Sequence, residues 1–292
     1  MDVSIIIVSY NTKALLQQCL QSVFEKTQDI WFEVIVVDNA SHDGSAQMVR
    51  EEFPNIMLIE SLENLGFGRA NNLGAKHAKG TYLLLLNPDT ILLNNAVKIL
   101  FDFIDSHPKV GICGGNLFDA AKKPALSYQM FLPSVAGELD DFLRISTIIY
   151  GKNSYFNHTK KPLIVKGYIT GADLMIKTSL FNQLNGFDTD FFVYYEETEL
   201  TFRVKKAGYA VYSVPQAEII HLEGQTFSGD RERKTRMFLE SRKKYYQKTH
   251  CRFVSWICDR IFLCSCVLYY CLFVVAGKSQ KANNWMLIIK YL

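Results

Sequence analysis

The sequence lacks several features that would assign it to a common class of small or non-globular protein. Its seven cysteines include no Cys-x-x-Cys pair, so paired zinc-ligand spacing is absent. Neither an internal repeat nor a low-complexity linker interrupts the chain. Charged residues make up only 21% and hydrophobic residues 49%, which excludes a disordered chain and indicates a sizeable core. The 292 residues suffice for one large α/β domain, with or without an appendage.

The cysteine count is odd, and no secretory signal is recognisable before the first strand-like run. Five cysteines cluster in the apolar C-terminal region: Cys251, Cys258, Cys264, Cys266 and Cys271. We expect them to be free, buried thiols in a reducing compartment. This pattern predicts a cytoplasmic catalytic domain.

The net charge of +3 conceals a basic segment. Residues 230–252 contain nine Lys or Arg and three Asp or Glu, and the apolar run 261–276 follows. A basic segment beside an apolar one indicates an anionic membrane surface rather than nucleic acid, although a solvated helix has the same composition. As a helix the sixteen-residue run would extend roughly 24 Å, less than a hydrocarbon core of roughly 30 Å. We therefore expect it to lie in the membrane interface or against a partner.

Apolar runs and helical patterns alternate along the first half of the chain. Four strands are predicted at 3–8, 32–37, 56–59 and 82–86, with helices after Thr12, after Ser41, over 69–79 and after Asp89. Short alternating strands and helices favour a parallel, doubly wound sheet. In the second half we predict strands at 111–115, 173–176 and 209–214, helices at 178–184 and 197–207, and loop with short helices over 122–161. A long basic helix is predicted from residue 235 onward.

Polar segments follow the predicted strands, and the carboxyl ends of parallel strands are where open α/β sheets bind ligands. The segments are Val8-Ser9-Tyr10-Asn11, Val36-Val37-Asp38-Asn39-Ala40-Ser41, Asn64-Leu65-Gly66-Phe67-Gly68, Leu86-Asn87-Pro88-Asp89 and, later in the chain, Tyr195-Glu196-Glu197. We expect them to converge on one crevice. Such a crevice suits a nucleotide-diphosphate donor, a metal ion and a catalytic base.

The order of these segments resembles the family 2 glycosyltransferases, especially their rhamnosyltransferase-like branch, over residues 3–227. The resemblance implies a GT-A fold: a Rossmann-like, mostly parallel sheet with helices on both faces. It implies a glycosyltransferase domain over 1–228, with a nucleotide-sugar half (1–115) and an acceptor and catalytic half (116–228). Residues 229–292 are then a basic, hydrophobic, membrane-associating helical extension.

The resemblance also implies the donor-binding residues. They are Ser9, Tyr10, Asn11, Asp38, Asn39, Ser41, Gly66, Phe67, Asn71, Asn87, Pro88 and Asp89. Asp38 is placed to accept the imide N–H of a uracil or thymine ring. Gly66-Phe67-Gly68 differs from a dinucleotide fingerprint, because Asn71 replaces the third glycine and the segment follows the third strand. Two glycines at a helix start still suit close approach to a diphosphate.

A divalent metal is implied at Asp89, because Asn87-Pro88-Asp89 occupies the place of the family's Asp-x-Asp. One carboxylate can hold Mg²⁺ or Mn²⁺ against substrate phosphates, since such ions keep several waters. His221 matches a late histidine that relatives place near the metal or diphosphate. A histidine after an apolar strand can equally be structural.

Glu197 takes the position of the family's catalytic Asp, with Glu196 beside it and Glu199 close by. Neighbouring carboxylates raise one another's pKa, which suits a general base. Acids at a helix N-terminus also favour the helix dipole, which could be the whole role of Glu199.

The predicted function is inverting transfer of a sugar from a nucleotide-diphosphate sugar, dTDP-rhamnose or a UDP-sugar, to a lipid-linked glycan acceptor in surface polysaccharide synthesis. The enzyme would lie on the cytoplasmic face of the inner membrane, as a monomer or homo-oligomer. One alternative is a non-catalytic, membrane-associated nucleotide-sugar binder. A nucleotidyltransferase would want a Gly-rich basic loop after the first strand, where Ser9-Tyr10-Asn11-Thr12 stands instead.

Overall fold

A computed structural model of the chain describes residues 1–222 and 231–292. Within those residues a nine-stranded sheet forms the centre of the molecule. The strands, with a short separate pair, are β1 (Val3–Ser9), β2 (Phe32–Asp38), β3 (Met57–Glu60), β4 (Tyr82–Leu86), β5 (Thr90–Leu92), β6 (Val110–Phe118), β7 (Tyr128–Gln129), β8 (Leu163–Ile164), β9 (Tyr168–Ile169), β10 (Asp173–Lys177) and β11 (Ala210–His221).

Helices cover both faces of the sheet and form the C-terminal region. They are α1 (Lys13–Lys26), α2 (Ser45–Glu52), α3 (Phe67–Ala75), α4 (Ala96–Asp105), α5 (Val135–Leu143), α6 (Ile145–Tyr150), α7 (Thr178–Gln183), α8 (Glu196–Lys206), α9 (Arg231–Thr249), α10 (Arg252–Val275) and α11 (Ser279–Tyr291), with a 3₁₀ turn at Gly151–Ser154.

The first four strands form the parallel half of the sheet in the order β3-β2-β1-β4. Helices α1 to α3 make the crossovers, so the predicted doubly wound topology is confirmed for this half. Beyond β4 the order continues β10-β6-β11-β5, and β10 runs antiparallel to both of its neighbours. The sheet is therefore mostly parallel with antiparallel insertions, as in the predicted fold class.

Alternation along the buried strands sends side chains into two cores, one on each face of the sheet. In β1, Ile5 and Ile7 join the core beneath α1 and α4, whereas Ile6 joins the core beneath α3 and α8. Burial on both faces explains why these strands read as continuous apolar runs rather than as alternating patterns. The sheet is thus held rigidly, and its carboxyl edge is a fixed platform.

Several predicted boundaries are wrong because long-range pairing extended the elements. Strand β6 continues to Phe118 and β11 continues past Pro215 to His221, where local patterns predicted ends at 115 and 214. The register of the β6–β11 pairing shifts between Ser213 and Glu218. A bulge at that place accommodates the proline, which cannot donate to a ladder.

The C-terminal apolar helix is longer than the apolar run that predicted it. Helix α10 has 24 residues, against the sixteen of the run at 261–276. Among the described residues it is the one helix long and apolar enough, by length and composition alone, to cross a membrane. All seven cysteines are free, as predicted, but Cys251, Cys264 and Cys271 are exposed because α10 leaves that face uncovered. Their predicted burial is wrong.

Helices α9 and α10 pack against the catalytic half through a third, smaller core. Phe191 joins Tyr245, Tyr246 and Cys258 there. The predicted domain boundary at 228 lies among residues 223–230, outside the described residues, and the domain division stays a prediction.

Candidate active site

Two adjoining cavities open at the carboxyl edge of the parallel strands. The smaller has a volume of about 180 Å³ and the larger about 470 Å³. Phe67, Asn87 and Val193 line both. The crevice predicted from the strand ends therefore exists as two adjoining chambers.

The smaller cavity collects most of the predicted donor-binding residues. Tyr10, Asn39, Gly66, Phe67, Asn87, Pro88 and Asp89 all line it, together with Val8, Asn64, Phe192 and Val193. These residues come from the ends of β1, β2 and β4 and the start of α3. With Phe192 and Val193, five segments far apart in sequence thus meet in one chamber.

Asn39 ties three of those segments together. Its backbone N–H donates to the Ser9 carbonyl at 2.8 Å, and its side-chain amide donates to the Asn64 side chain at 3.0 Å and to the Gly66 carbonyl at 3.2 Å. Its side-chain oxygen accepts from the Leu65 N–H at 2.8 Å. These bonds make Asn39 a support for the cavity as well as part of its lining.

Ser9, Asn11 and Ser41 support the cavity from outside it. The Ser9 hydroxyl lies 2.8 Å from that of Thr12, and the Asn11 N–H donates to the Ser41 hydroxyl at 3.0 Å. Asn11 adopts a left-handed backbone conformation (φ 53°). None of the three lines either cavity. The structure places them as residues that fix the two loops.

Asp38 ends β2 and is almost fully buried. One carboxylate oxygen accepts from the Ser41 N–H at 3.0 Å. The other accepts no hydrogen bond from the described residues. A buried acceptor without a partner is costly, which would suit a donor group supplied by a ligand, although Asp38 itself lines neither cavity.

Gly66 permits the close approach of two loops. It has φ 78°, and a Cβ there would clash with the Phe192 carbonyl, which accepts a 2.9 Å hydrogen bond from the Phe67 N–H. Asn71 is buried one turn into α3 and donates to the Phe67 carbonyl at 3.0 Å. Asn71 lines neither cavity, so it holds the helix start rather than facing the donor chamber.

Asp89 and His221 meet where the two cavities adjoin. The Asp89 Oδ1 atom is buried, lacks a hydrogen-bond donor among the described residues, and lies 3.3 Å from His221 Nε2. Adjacent ligands of an octahedral Mg²⁺ lie about 3 Å apart, because each is about 2.1 Å from the ion. The pair therefore fits two neighbouring positions around one ion. Within residues 1–222 and 231–292 no group of three His, Cys, Asp or Glu could hold a metal, so substrate oxygens would have to complete the shell.

Glu196 and Glu197 begin α8 and line the larger cavity. Glu196 is 2% exposed, packs against Gly68 of α3, and has one carboxylate oxygen with no partner in the described part of the chain. Glu197 is partly exposed and lies beside Gly171, with Thr198 Oγ1 at 3.4 Å from its carboxylate. Of the two carboxylates, Glu197 is thus the one open to a substrate.

Burial raises the pKa of both the Glu196 and the Glu197 carboxyl groups. Burial, with the charge of Glu197, raises the pKa of Glu196 to about 8. Burial also raises the pKa of Glu197. At neutral pH Glu196 therefore retains its proton. Glu199 instead forms a two-pronged ion pair with Arg203 and has a structural role.

A strained turn delivers the glutamates to the cavity. Tyr194 and Tyr195 both have φ near 70°, a region that costs a non-glycine residue about 1–3 kcal/mol. The Tyr195 ring packs between Phe238 and Tyr245 of α9, with ring centroids 5.6 and 5.5 Å away. Helix α9 therefore holds the turn in place.

Further contacts from the same side of α9 reach the segment before that turn. The Ser241 hydroxyl donates to the Val193 carbonyl at 2.7 Å, and Lys244 donates to the Asp190 carbonyl at 2.8 Å. One turn later, Lys248 pairs with the Asp188 and Asp190 carboxylates. We call Phe238, Ser241, Lys244, Tyr245 and Lys248 the α9 contact row. The residues recur at helical spacing, so they face the catalytic segment together.

The far wall of the larger cavity was not predicted from the sequence. It consists of Gln129, Phe131, Glu138, Asp140, Asp141 and Tyr168, together with Tyr194, Tyr195 and Phe238. Asp141 keeps an exposed surface at this wall, and its partial desolvation, with the charges of Glu138 and Asp140, raises its pKa to about 6. The irregular pattern over 122–161 gave no signal for this wall, although Ser134 and the following acids were a helix-start signature.

Comparison with known proteins identifies the family. The family model described as glycosyl transferase family 2 matches residues 4–166, more than half of the chain. The N-acetylglucosaminyl-diphospho-decaprenol L-rhamnosyltransferase of Mycobacterium tuberculosis is 25% identical over 244 residues, covering 77% of this chain and 78% of the relative. The rhamnosyltransferase WbbL of Escherichia coli K12 is 25% identical over 228 residues, 75% of this chain and 83% of the relative.

Solved structures share the fold at lower identity. The mannosyltransferase PcManGT from Pyrobaculum calidifontis, in complex with GDP-Man and Mn²⁺, superposes with a TM-score of 0.61 at 17% identity, covering 99% of this chain and 84% of that one. GalNAc-T7 with UDP, GalNAc and Mn²⁺ gives a TM-score of 0.59 at 16% identity, covering 84% and 50%. The fold is thus the GT-A fold predicted from the sequence, and the named relatives favour an enzyme over a non-catalytic binder. The chain belongs to the family 2 glycosyltransferases.

Proposed function

We propose that this glycosyltransferase transfers a sugar with inversion, using Glu197 as the general base. The carrying observation is that the two chambers adjoin and share lining residues. The cavity that collects the donor-binding segments shares Phe67 and Asn87 with the cavity that holds Glu197. A donor lying across Asn87 would present its sugar to a hydroxyl bound in the larger cavity.

In this proposal Asp38 and Asn39 hold the nucleoside, and Gly66 lets the chain approach the diphosphate. Glu197 accepts the proton of the acceptor hydroxyl as that oxygen attacks the anomeric carbon and the nucleoside diphosphate leaves. Glu196 keeps its own proton at neutral pH and so leaves Glu197 as the charged member of the pair. No covalent enzyme intermediate is required.

Asp89 and His221 would hold a divalent metal, Mg²⁺ or Mn²⁺, together with the donor phosphates. When bound, such an ion stabilises the negative charge that develops on the leaving diphosphate. The 3.3 Å approach of Asp89 to His221 and the unsatisfied oxygen of Asp89 support this assignment. The Mn²⁺ in two structural neighbours is consistent with it.

We propose an uncharged sugar as the accepting residue. The larger cavity has aromatic rings and five carboxylates in its lining, and the described lining residues include no Lys or Arg. Carboxylates accept hydrogen bonds from sugar hydroxyls, whereas an anionic group would meet like charges. A lipid-linked glycan fits, provided that its phosphate groups stay outside the cavity. The decaprenyl acceptor in the name of the mycobacterial relative agrees with this class.

We further propose that the basic and apolar C-terminal helices hold the enzyme on the inner face of the membrane. Helix α10 exposes much of its apolar surface, and α9 supplies the cationic residues. This location would bring a lipid-linked acceptor to the enzyme during surface polysaccharide synthesis.

Donor binding is the first test. Titration with a panel of UDP-, dTDP- and GDP-sugars in the presence of Mg²⁺ should identify a nucleotide whose affinity falls about 10- to 150-fold in Asp38→Asn. Asn still accepts from the Ser41 N–H but lacks the charge. Glu63→Gln, an exposed acid nearby, is the control. Equal affinity in Asp38→Asn and wild type would contradict the assignment of Asp38.

Transfer is the second test. Nuclear magnetic resonance of the product should show the anomeric configuration inverted, and chelation or Asp89→Asn should remove most of the activity. Paired acceptors, an alkyl hexoside and the matching hexuronide, then test the cavity's charge preference. Full turnover in excess chelator would exclude the metal, and equal use of both acceptors would exclude the charge preference.

A further inference from the structure

We infer that the membrane-binding surface includes helix α6 of the catalytic half as well as the C-terminal helices. The inference rests on the proposed membrane location of the enzyme and extends it to a part of the chain that composition did not single out. Its partner is an anionic lipid bilayer.

Helix α6 exposes large aliphatic side chains that nothing in the described chain covers. Ile148 is 78% exposed and Ile149 is 64% exposed, and Leu143 at the end of α5 is also exposed. Single exposed apolar residues are ordinary, but a monomer rarely clusters them. Three within seven positions of the chain indicate a surface that is covered in use.

This cluster adjoins the C-terminal helices through one junction. Arg144, which lies between α5 and α6, donates to the Tyr269 hydroxyl of α10 at 3.2 Å, and its guanidinium lies 5.8 Å from the centroid of that ring. Tyr269 in turn stacks on Trp285 of α11, with centroids 5.1 Å apart. The α5–α6 turn, α10 and α11 thus meet at a single place.

Each of the three elements exposes apolar side chains next to that junction. Leu268 and Leu272 are one position before and three positions after Tyr269, and Met286 follows Trp285. We define the apolar face as Leu143, Ile148, Ile149, Leu268, Leu272, Val275 and Met286. The face draws on both the catalytic half and the C-terminal helices.

The charges around the apolar face favour an anionic bilayer as its partner. Arg144, Lys278 and Lys281 are exposed beside it, and Lys166 lies over the Tyr150 ring at the end of α6. The only acid within α6, α10 and α11 is Asp259, which pairs with Arg242, and on α5 the exposed acid Asp141 precedes Leu143 by two positions and lines the larger cavity. Exposed apolar residues rimmed by cations fit the interface of an anionic membrane, where the two attractions add.

The position of α5 gives this surface a functional consequence. Helix α5 packs against α10, and its residues Glu138, Asp140 and Asp141 line the larger cavity. One helix, about 10 Å across, therefore separates the acceptor cavity from the apolar face. A lipid-linked acceptor could keep its lipid in the bilayer while its sugar enters the cavity.

Flotation of the full chain with liposomes tests the inference. Vesicles of phosphatidylcholine with phosphatidylglycerol should carry wild type upward, and pure phosphatidylcholine should carry less. The double variant Ile148→Asp/Ile149→Asp should lower the vesicle-bound to free ratio roughly tenfold or more, because the two isoleucine side chains that would insert into the bilayer are lost. Leu62→Asp, at a fully exposed leucine in the loop after β3, should float like wild type.

The remaining outcomes separate this inference from the proposals on which it rests. If Leu268→Asp/Leu272→Asp stops flotation but Ile148→Asp/Ile149→Asp does not, α6 is not part of the surface and only the C-terminal helices bind. If wild type does not float with either vesicle, both membrane statements fail. Donor turnover, measured in parallel without vesicles, reports on the glycosyltransferase separately and must be equal in all variants for the comparison to count.

Analytical sedimentation of the same proteins tests whether a second copy of the chain, rather than a bilayer, covers the apolar face. A wild-type dimer that dissociates in Ile148→Asp/Ile149→Asp, with no flotation of either protein, would show that the face contacts a second copy of the chain. That result would overturn the inference.

Discussion

At the scale of single residues, the two adjacent glutamates differ in exposure and therefore in role. Both line the larger cavity, but Glu196 is buried against α3 with its charge suppressed, whereas Glu197 is partly exposed. Sequence alone placed both at the start of a helix. The difference in their surroundings is the basis on which we propose Glu197 as the base.

We expect Glu197→Gln to keep the fold and donor affinity and to lower sugar transfer by about two to four orders of magnitude, the usual contribution of a general base. Glu197→Asp should also be slower than wild type, because a shorter side chain withdraws the carboxylate and misplacement by about 1 Å can cost 100-fold. Glu196→Gln should retain most activity at neutral pH, since Glu196 is already uncharged there. Near-normal transfer by Glu197→Gln would move the base to another residue.

Glu196 should also give the stability a pH dependence. Its pKa is raised from 4.5 to about 8 in the folded protein, so the folded state retains a proton that the unfolded state releases. The folded protein consequently loses stability as the pH rises from about 4.5 to about 8. Glu196→Gln removes this loss, and the variant should melt a few degrees above wild type at pH 9 but not at pH 4.5.

Thermal unfolding of both proteins at the two pH values measures the effect, with Glu63→Gln as an exposed control. A Glu196→Gln gain of the same size at both pH values would show that the benefit is not electrostatic.

At the scale of the elements, helix α9 contacts the segment that precedes the proposed base and holds it in position. The α9 contact row fixes residues 188–195, which end in two left-handed tyrosines directly before Glu196. Without these contacts the strained turn would relax toward ordinary backbone angles and carry the start of α8 with it. The first C-terminal helix is therefore a positioning element for the base.

We expect Phe238→Ala to lower kcat about tenfold or more with a smaller change in donor KM, because Phe238 packs on the turn before Glu196, whereas α9 reaches the donor cavity through the bond from Ser241 to Val193. Phe238→Tyr should restore kcat, since it keeps the ring against Tyr195. Leu239→Ala, the neighbouring position on the helix, serves as the control. Steady-state kinetics with varied donor separates the two parameters, and a rise in donor KM without a fall in kcat would contradict the positioning role.

At the scale of the whole molecule, one buried cation joins the cavity wall to the C-terminal helices. Arg242 of α9 is 3% exposed and contacts Glu138 of α5 at 2.8 Å and Asp259 of α10 at 2.5 Å. The Tyr246 hydroxyl adds a 2.5 Å hydrogen bond to the same Glu138 carboxylate. The packing of α5, α9 and α10 therefore depends on the guanidinium of Arg242.

Arg242→Met should lower the free energy of unfolding by about 3–5 kcal/mol, because it leaves the Glu138 carboxylate buried without its counter-ion. Adding Glu138→Gln should recover part of that loss by removing the unpaired charge. Lys243→Met, at the exposed neighbouring position, should change stability by less than about 0.5 kcal/mol. Chemical denaturation measures all four proteins, and an unchanged midpoint in Arg242→Met would show that the network is dispensable.

This network also limits what a truncation can show. If the proposed membrane location holds, removing the chain after residue 252 would weaken membrane binding, but it would also remove Asp259 and the helix that packs on α5. The donor cavity lies in the other half and should survive. Point substitutions on the apolar face therefore test membrane binding more cleanly.

The sequence by itself determined the parallel half of the sheet and the segments at its edge. The secondary structure there depends on neighbouring residues in the sequence, because each apolar run forms a buried strand. Asp38 ends one such strand and Asn39 follows it, and Asn87 and Asp89 follow another. Since neighbouring parallel strands must end at the same edge, the donor cavity could be foreseen without coordinates. The base role of Glu197 rests instead on the resemblance to the family's order of segments, and it stays a prediction.

The tertiary structure alone decided the acceptor wall, the support of the catalytic turn and the assignment of Glu199 to a structural ion pair. Each depends on contacts between residues far apart in sequence, such as Arg242 with Glu138 and Phe238 with Tyr195. Local sequence patterns carry no information about which distant side chain will pair with a buried charge or pack against a ring. The lengths of strands β6 and β11 were underestimated for the same reason, because each strand extends as far as the other is present to pair with it.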